Sequence, residues 1–314
     1  MYIRILTYNF YCRPSFNFWD NQNERINNIA ENITNYENNK GYKIDVILFQ
    51  EIFDNRVKRK LKKQMKKIGF IYRSKRVGAR FRLNGGIITY SRFPILEEKK
   101  MIYKKSQIFN AISAKGLMYT KIFMYNKFYH IFNTHLDSFS NKIRISQMKD
   151  MKNFINKLDI PENDSIIIGG DWNIDANRSG INNISKIFND YNMAETLEDE
   201  YTYDGKNNSW IERHDYNNKD TQELLDFFIC KIPKLKYKED FEEKSTIEEE
   251  YMSEEYKEFK NIPLSMKVLK FKHKSKAHNI IYATSFHLNF HTLTKKYNVN
   301  DLSDHYAGLC EFCI

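Results

Sequence analysis

The chain has 314 residues, 41% hydrophobic and 15% aromatic, with a formal net charge of +10. That length and apolar content can bury a large core without disulfide staples and exclude a disordered chain. No apolar run approaches the ~18 residues of a membrane-spanning helix, and the charge favours anionic partners such as nucleic acid, phospholipid surfaces or phosphorylated metabolites.

The predicted elements follow in chain order. Met1 leads straight into a strand at Ile3 to Tyr8, with no signal-peptide core. Ile26, Ile29 and Ile33 recur at helical spacing and predict a helix over 22–36. Asp45 to Phe49 reads as a buried strand, and Val57, Leu61 and Met65 mark one face of a very basic helix. Strands are predicted at Gly86 to Tyr90, Met118 to Met124 and Tyr129 to Asn133. Met148, Met151, Ile155 and Leu158 mark a third helix. Ser165 to Ile168 reads as a strand closed at once by a Gly-Gly turn, and strands at Leu224 to Cys230 and Tyr306 to Phe312 complete the series.

Two sheets packed face to face, with helices outside, would bury all of these faces. No linker or repeat divides the chain, so a single domain over 1–314 is expected. The stretch from about 235 to 277, first acidic and then basic, reads as a charged surface insertion. Cys12, Cys230, Cys310 and Cys313 offer no second pair for a metal set and are expected as free thiols.

Four strings place polar groups at the ends of apolar strands: Thr7-Tyr8-Asn9, Phe49-Gln50-Glu51, Asn133-Thr134-His135-Leu136-Asp137 and Gly169-Gly170-Asp171-Trp172-Asn173. A fifth, Ser303-Asp304-His305, precedes the last strand. Strand ends on one sheet edge converge, so these groups can line one pocket. Carboxylates and amide oxygens at Asn9, Glu51, Asp171, Asn173 and Asp304 suit Mg²⁺. His135 and His305 can move protons or hold phosphate oxygens. With no Ser or Cys triad string and no Gly-rich phosphate loop, the inventory points to metal-assisted attack of water on a phosphoester. Taken singly, each string would pass as an ordinary strand end.

In this order the strings resemble the endonuclease/exonuclease/phosphatase superfamily over nearly the whole chain. The resemblance implies an α+β, four-layer αββα sandwich of deoxyribonuclease-like fold, with the site at one end of the two sheets. It implies Glu51 as principal Mg²⁺ ligand with Asn9 beside it, and Asp304 as a further metal or phosphate ligand. Mn²⁺ or Co²⁺ could stand in for Mg²⁺. By the same resemblance Asp171 positions the attacking water and His305 is the general base. Asp226, in Leu224-Leu225-Asp226-Phe227, orients His305. His135 is the second catalytic histidine, and Asn173, His135 and Lys115 bind substrate.

Gln50 to Asn55, Asn84 to Ile87, Ser91 to Ile95 and Lys115 to Lys121 are most similar to neutral sphingomyelinases, and Arg144 and Gln147 also fit. That similarity implies hydrolysis of sphingomyelin to ceramide and phosphocholine by a monomer bound peripherally at a phospholipid membrane. It does not fix the compartment. Ser285-Phe286, within Ile280 to Leu293, stand where bacterial members carry a membrane-touching hairpin, although His287 and His291 make this stretch less apolar. Leu83-Asn84 replaces the acidic pair of an outer metal site, and Trp172 replaces an apolar residue. The alternatives are a nuclease of the same fold, using the basic face Arg56 to Lys63 on DNA or RNA, and a soluble inositol- or sugar-phosphate phosphatase. A non-catalytic lipid-binding relative is a third.

Overall fold

The computed structural model describes residues 2–12, 22–77, 85–104, 115–178, 180–196, 200–214, 218–233, 265–272 and 301–313. In chain order the elements are β1 (Tyr2–Cys12), α1 (Gln22–Lys40), β2 (Val46–Ile52), α2 (Asn55–Lys67), β3 (Tyr72–Arg73), β4 (Ile88–Ser91), β5 (Ile95–Ile102), β6 (Gly116–Met124) and β7 (Lys127–His135). Then come α3 (Asn141–Asn156), β8 (Ser165–Asp171), α4 (Ile181–Ile187), β9 (Asn192–Met193), β10 (Glu195–Thr196), β11 (Tyr203–Asp204), α5 (Ser209–His214), β12 (Gln222–Glu223), β13 (Asp226–Lys231), β14 (Ser265–Leu269) and β15 (Ala307–Cys313). Among the described residues one sheet runs β10-β14-β15-β1-β2-β4-β3 and the other β5-β6-β7-β8-β13-β9, with β11-β12 as a separate ribbon.

Strand alternation builds the layers. On β1, Leu6, Tyr8 and Phe10 join a core with α1 and α2, while Ile3 and Ile5 join the core shared with the second sheet and α3. On β2, Ile47 and Phe49 face the helices and Val46 and Leu48 face the other sheet. Helices thus cover the outer face of each sheet, giving the expected αββα order. Toward one edge the inner faces turn polar. Gln50 Nε2 donates to Thr7 Oγ1 at 3.2 Å and, across the sheets, to Asn133 Oδ1 at 2.8 Å. Asn133 Nδ2 in turn donates to the carbonyls of Phe49 and Ile88.

The helix predicted from Val57, Leu61 and Met65 forms as α2, with all three buried. Asp54 caps it, Oδ1 accepting from the backbone N–H of Arg56 at 2.6 Å. Leu61→Ala is expected to cost about 2–5 kcal/mol of stability, as for other buried leucines. Chemical denaturation at constant m-value checks it.

Two expectations are corrected. Gly169 and Gly170 form no turn but continue β8, pairing with Asn133 and Thr134 of β7. A Cβ at Gly169 would lie 2.3 Å from the Phe228 ring, and Gly170, at φ +142°, packs against the Thr134 carbonyl. Glycine here allows the strand to pass close to its neighbours. The stretch expected as a surface insertion contributes an inner strand where it is described: β14 pairs with β15 from Ser265↔Glu311 to Leu269↔Ala307. Met266 and Phe271 are buried there, which anchors this part to the core. Cys12, Cys230 and Cys310 are buried free thiols, as expected. The hairpin stretch Ile280 to Leu293 and the Leu83-Asn84 pair lie outside the described residues. Among the described residues no helix is long and apolar enough to cross a membrane.

Candidate active site

Topology brings the remote strings together. β1 and β2 run parallel, as do β7 and β8, so their C-terminal ends share one edge. β13 and β15 run antiparallel to their neighbours and begin at that edge. His135, Asp171 and Asp226 stand side by side across three strands, in direct register.

Glu51 reaches the site through a distortion. Simple alternation would turn it toward the helices with Ile47 and Phe49. The β1–β2 register shifts here, and Glu51 takes φ +59°, a left-handed conformation that costs a non-glycine residue about 1–3 kcal/mol. Gly86 makes room for it: a Cβ at Gly86 would lie 2.8 Å from Glu51 Cα. The Glu51 side chain therefore points inward, where its Oε1 accepts from Asn9 Nδ2 at 3.3 Å. The same amide donates to Asp171 Oδ2 at 2.9 Å.

These carboxylates crowd one another. Burial, with the Asp304 charge next in importance, pushes Glu51 up to about 7. Burial also pushes Asp171 upward, but His135, His305, Lys115 and the Asn9 amide together hold it below the usual carboxylate range. Asp304 is tied in through Ser303, whose hydroxyl donates to the Asn9 carbonyl at 2.7 Å and lies 3.2 Å from Asp304 Oδ1.

His305 and Asp226 form a buried pair, Nδ1 lying 2.6 Å from Asp226 Oδ2. Burial alone would lower His305, yet Asp226, Asp304 and Asp171 outweigh it and hold the imidazole well above its ordinary value. Burial raises Asp226 to about 6. With Nδ1 facing Asp226, the opposite ring nitrogen is the one placed to exchange a proton with the pocket.

His135 is different. Burial and then Lys115 push it down to about 3, so it is a neutral imidazole. Its Nε2 lies 2.9 Å from Lys115 Nζ, 3.4 Å from Asp171 Oδ2 and 3.9 Å from Glu51 Oε1. Lys115, buried just before β6, also donates to the Leu136 carbonyl at 2.7 Å. It is packed beneath the site rather than extended into solvent. Asn173 follows Asp171 in a left-handed turn at φ +50°; its backbone N–H donates to Asp171 Oδ1 and its Nδ2 to the Leu136 carbonyl. Gln147 and Arg144 brace the neighbouring loop. Gln147 accepts from the Asp137 N–H at 2.8 Å, and Arg144 donates to the Asp137 carbonyl at 3.1 Å.

The structure thus gathers every site residue read from the sequence at one edge. It adds others that the sequence did not single out. Thr202 Oγ1 accepts from the backbone N–H groups of Leu225 and Asp226, holding the start of β13. Arg25 donates to the carbonyls of Phe10, Tyr11 and Leu302, fastening α1 to the loop that carries His305. The Tyr203 ring stands edge-on to His305 at 5.5 Å. None of these lies in a distinctive string, and Thr, Arg and Tyr at such positions look like ordinary surface or core residues until the chain is folded.

A model of the Endonuclease/Exonuclease/phosphatase family matches residues 6–238. The chain belongs to this family. Among curated members it is 28% identical over 215 residues to a phospholipase C from Staphylococcus aureus, covering 60% of this chain and 62% of that one. It is 29% identical over 258 residues to a sphingomyelinase C from Bacillus cereus, covering 73% and 74%. The chain thus spans less than two thirds of the length of the staphylococcal relative. Among solved structures of this fold, a beta toxin double mutant from Staphylococcus aureus with bound magnesium ions superimposes with TM-score 0.75 at 24% identity, covering 99% of each chain.

Proposed function

We propose that the chain is a divalent-cation-dependent phosphodiesterase that hydrolyses sphingomyelin to ceramide and phosphocholine. We read it as one domain, acting as a monomer bound peripherally at a membrane surface. The observation that carries the chemistry is the buried His305–Asp226 pair at 2.6 Å, set at the same sheet edge as the Glu51, Asp171 and Asp304 carboxylates. The similarity to sphingomyelinase C over 73% of the chain supports the substrate.

The residues present fit a hard cation. Glu51, Asp171 and Asp304 bring negative charge together, and after burial itself the Asp304 charge is the next cause of the upward push on Glu51. The Asn9 amide that now bridges Glu51 and Asp171 supplies only a dipole. Glu51, Asn9 and Asp304 would hold Mg²⁺, an all-oxygen set. Asp171, Asp226 and His305 also offer ligand atoms within 4.8 Å of one another. The short hydrogen bond within that trio suits proton transfer better. When bound, the cation would neutralise charge on the phosphoryl oxygens, worth several kcal/mol.

The protein's own groups supply the rest. Asp226 orients His305, and His305 in its neutral form, which a bound cation would favour by offsetting the carboxylates that raise it, takes the proton of the attacking water. Asp171, its Oδ2 held by Asn9, orients that water. Asn173 and the Lys115–His135 unit face the phosphate, with Lys115 as the positive member.

A substrate panel of sphingomyelin vesicles, lysophospholipid, DNA and inositol phosphates, each with Mg²⁺ or chelator, tests the reading. Cation-dependent release of phosphocholine from sphingomyelin should exceed all other rates. Faster turnover of DNA, with a steep fall as salt rises, would instead make this a nuclease.

A further inference from the structure

A cavity of about 350 Å³ opens beside Asn173, walled by the start of α3, the segment after β8 and strand β12. The groups assigned above leave most of it unused. Four charged side chains line it, and two of these are satisfied: Asp175 Oδ2 pairs with Arg178 Nε at 3.0 Å, and Asp175 Oδ1 accepts from the Leu224 N–H. The other two are not. Arg144 donates from Nη1 to the Asp137 carbonyl, but its Nε is buried with no hydrogen-bond partner among the described residues. The half-buried Glu223 carboxylate feels Asp175, Arg178, Arg144 and His305 only through space.

One wall of the cavity continues to the catalytic pair. Glu223 on β12 stands directly opposite Tyr203 on β11, so both side chains leave the same face of the ribbon. The Tyr203 ring meets His305 at 5.5 Å. An aromatic ring and a carboxylate therefore sit side by side next to the general base, with the Arg144 guanidinium, committed only through Nη1, also lining the cavity. A ring beside a negative charge suits a quaternary ammonium, and a guanidinium suits a phosphate oxygen. The volume lies within the range of small-ligand sites.

Building on the sphingomyelinase reading, we propose that this cavity is the headgroup subsite. Arg144 steers the phosphate, and Glu223, with Tyr203 beside it, receives the quaternary ammonium of a zwitterionic headgroup. Glu223 would then determine specificity while the chemistry stays with His305.

The test compares kcat/KM for sphingomyelin with kcat/KM for bis(p-nitrophenyl) phosphate, which has no cationic group. Wild type, Glu223→Gln and Glu223→Lys are measured, with phosphocholine and inorganic phosphate as competing inhibitors. The sphingomyelin preference should fall about tenfold in Glu223→Gln and further in Glu223→Lys, and phosphocholine should lose potency relative to phosphate. A preference unchanged along the charge series, or equal losses on both substrates, would overturn the subsite. A wild-type protein that cleaves bis(p-nitrophenyl) phosphate but not sphingomyelin would overturn the parent reading and the subsite together.

Discussion

Turnover by purified His305→Ala is expected to fall about 10²–10⁴-fold, the usual contribution of a positioned general base. The fold should survive. His305 is the last member of a chain of contacts, and the group left behind, Asp226, is already raised to about 6 by burial, so it can take a proton and stay buried. Cation-induced stabilisation should persist, because Glu51 and Asn9 are untouched. Asp226→Asn makes a sharper control. An amide there would donate to Nδ1 and force the proton onto the other ring nitrogen, leaving the imidazole in the wrong tautomer to accept from water. Rates on a soluble phosphodiester, with melting curves in Mg²⁺ and in chelator, check both variants. Near-normal turnover in His305→Ala would remove this residue from the mechanism.

The second large effect belongs to Glu51. Glu51→Gln should weaken cation affinity by at least about 100-fold, beyond what loss of an outer-sphere partner costs, and turnover should fall with it. The pH dependence of stability gives an independent readout. Without a cation, the Glu51 carboxyl is held up to about 7 by burial and Asp304, against an ordinary 4.5 in the unfolded chain. The folded state therefore binds this proton more tightly than the unfolded state does. Stability from this group is present below about pH 4.5 and is lost as pH rises toward 7. In chelator, Glu51→Gln should melt higher than wild type at pH 8, and the gap should close near pH 4. Adding Mg²⁺ at pH 8 should stabilise wild type and leave the variant unmoved. Identical pH profiles for the two proteins would show that Glu51 does not carry this buried charge.

Much of the architecture could be read in advance because burial leaves a period in the sequence. The Val57, Leu61, Met65 spacing predicts α2, and the run Asp45 to Phe49 predicts β2, which forms over Val46–Ile52. What escaped had no such period. β5 lies at the edge of its sheet, with Leu96, Lys99 and Lys100 exposed and Glu97 and Glu98 only partly covered, so its composition reads as a surface loop. β14 was hidden because Lys267 and Lys270 belong to the basic half of a charged stretch; only Met266 and Phe271 betray an inward face. The Gly169-Gly170 pair looked like a turn because nothing local reveals the Phe228 ring and Thr134 carbonyl that require it.

The site was legible for a different reason. Polar groups at the ends of apolar strands stand out residue by residue, and parallel and antiparallel neighbours carry them to a common edge. Their fine arrangement was not visible. The left-handed backbone at Glu51 depends on Gly86, 35 positions later in the chain by its number. The burial of Lys115 against His135, which turns two expected substrate contacts into one neutral-and-charged unit, arises only when β6 and β7 pair. Thr202, Arg25 and Tyr203 act through geometry alone.

Because His305 rides into place on β15, which hydrogen-bonds to β1 from Tyr2↔Cys313 to Thr7↔Gly308, the order of synthesis matters. Asn9 and Glu51 leave the ribosome well before His305, which emerges about 250 to 300 residues behind them. Pairings of such long range form late in folding. On the proposed mechanism, a nascent polypeptide would stay chemically silent until β15 zips in beside β1.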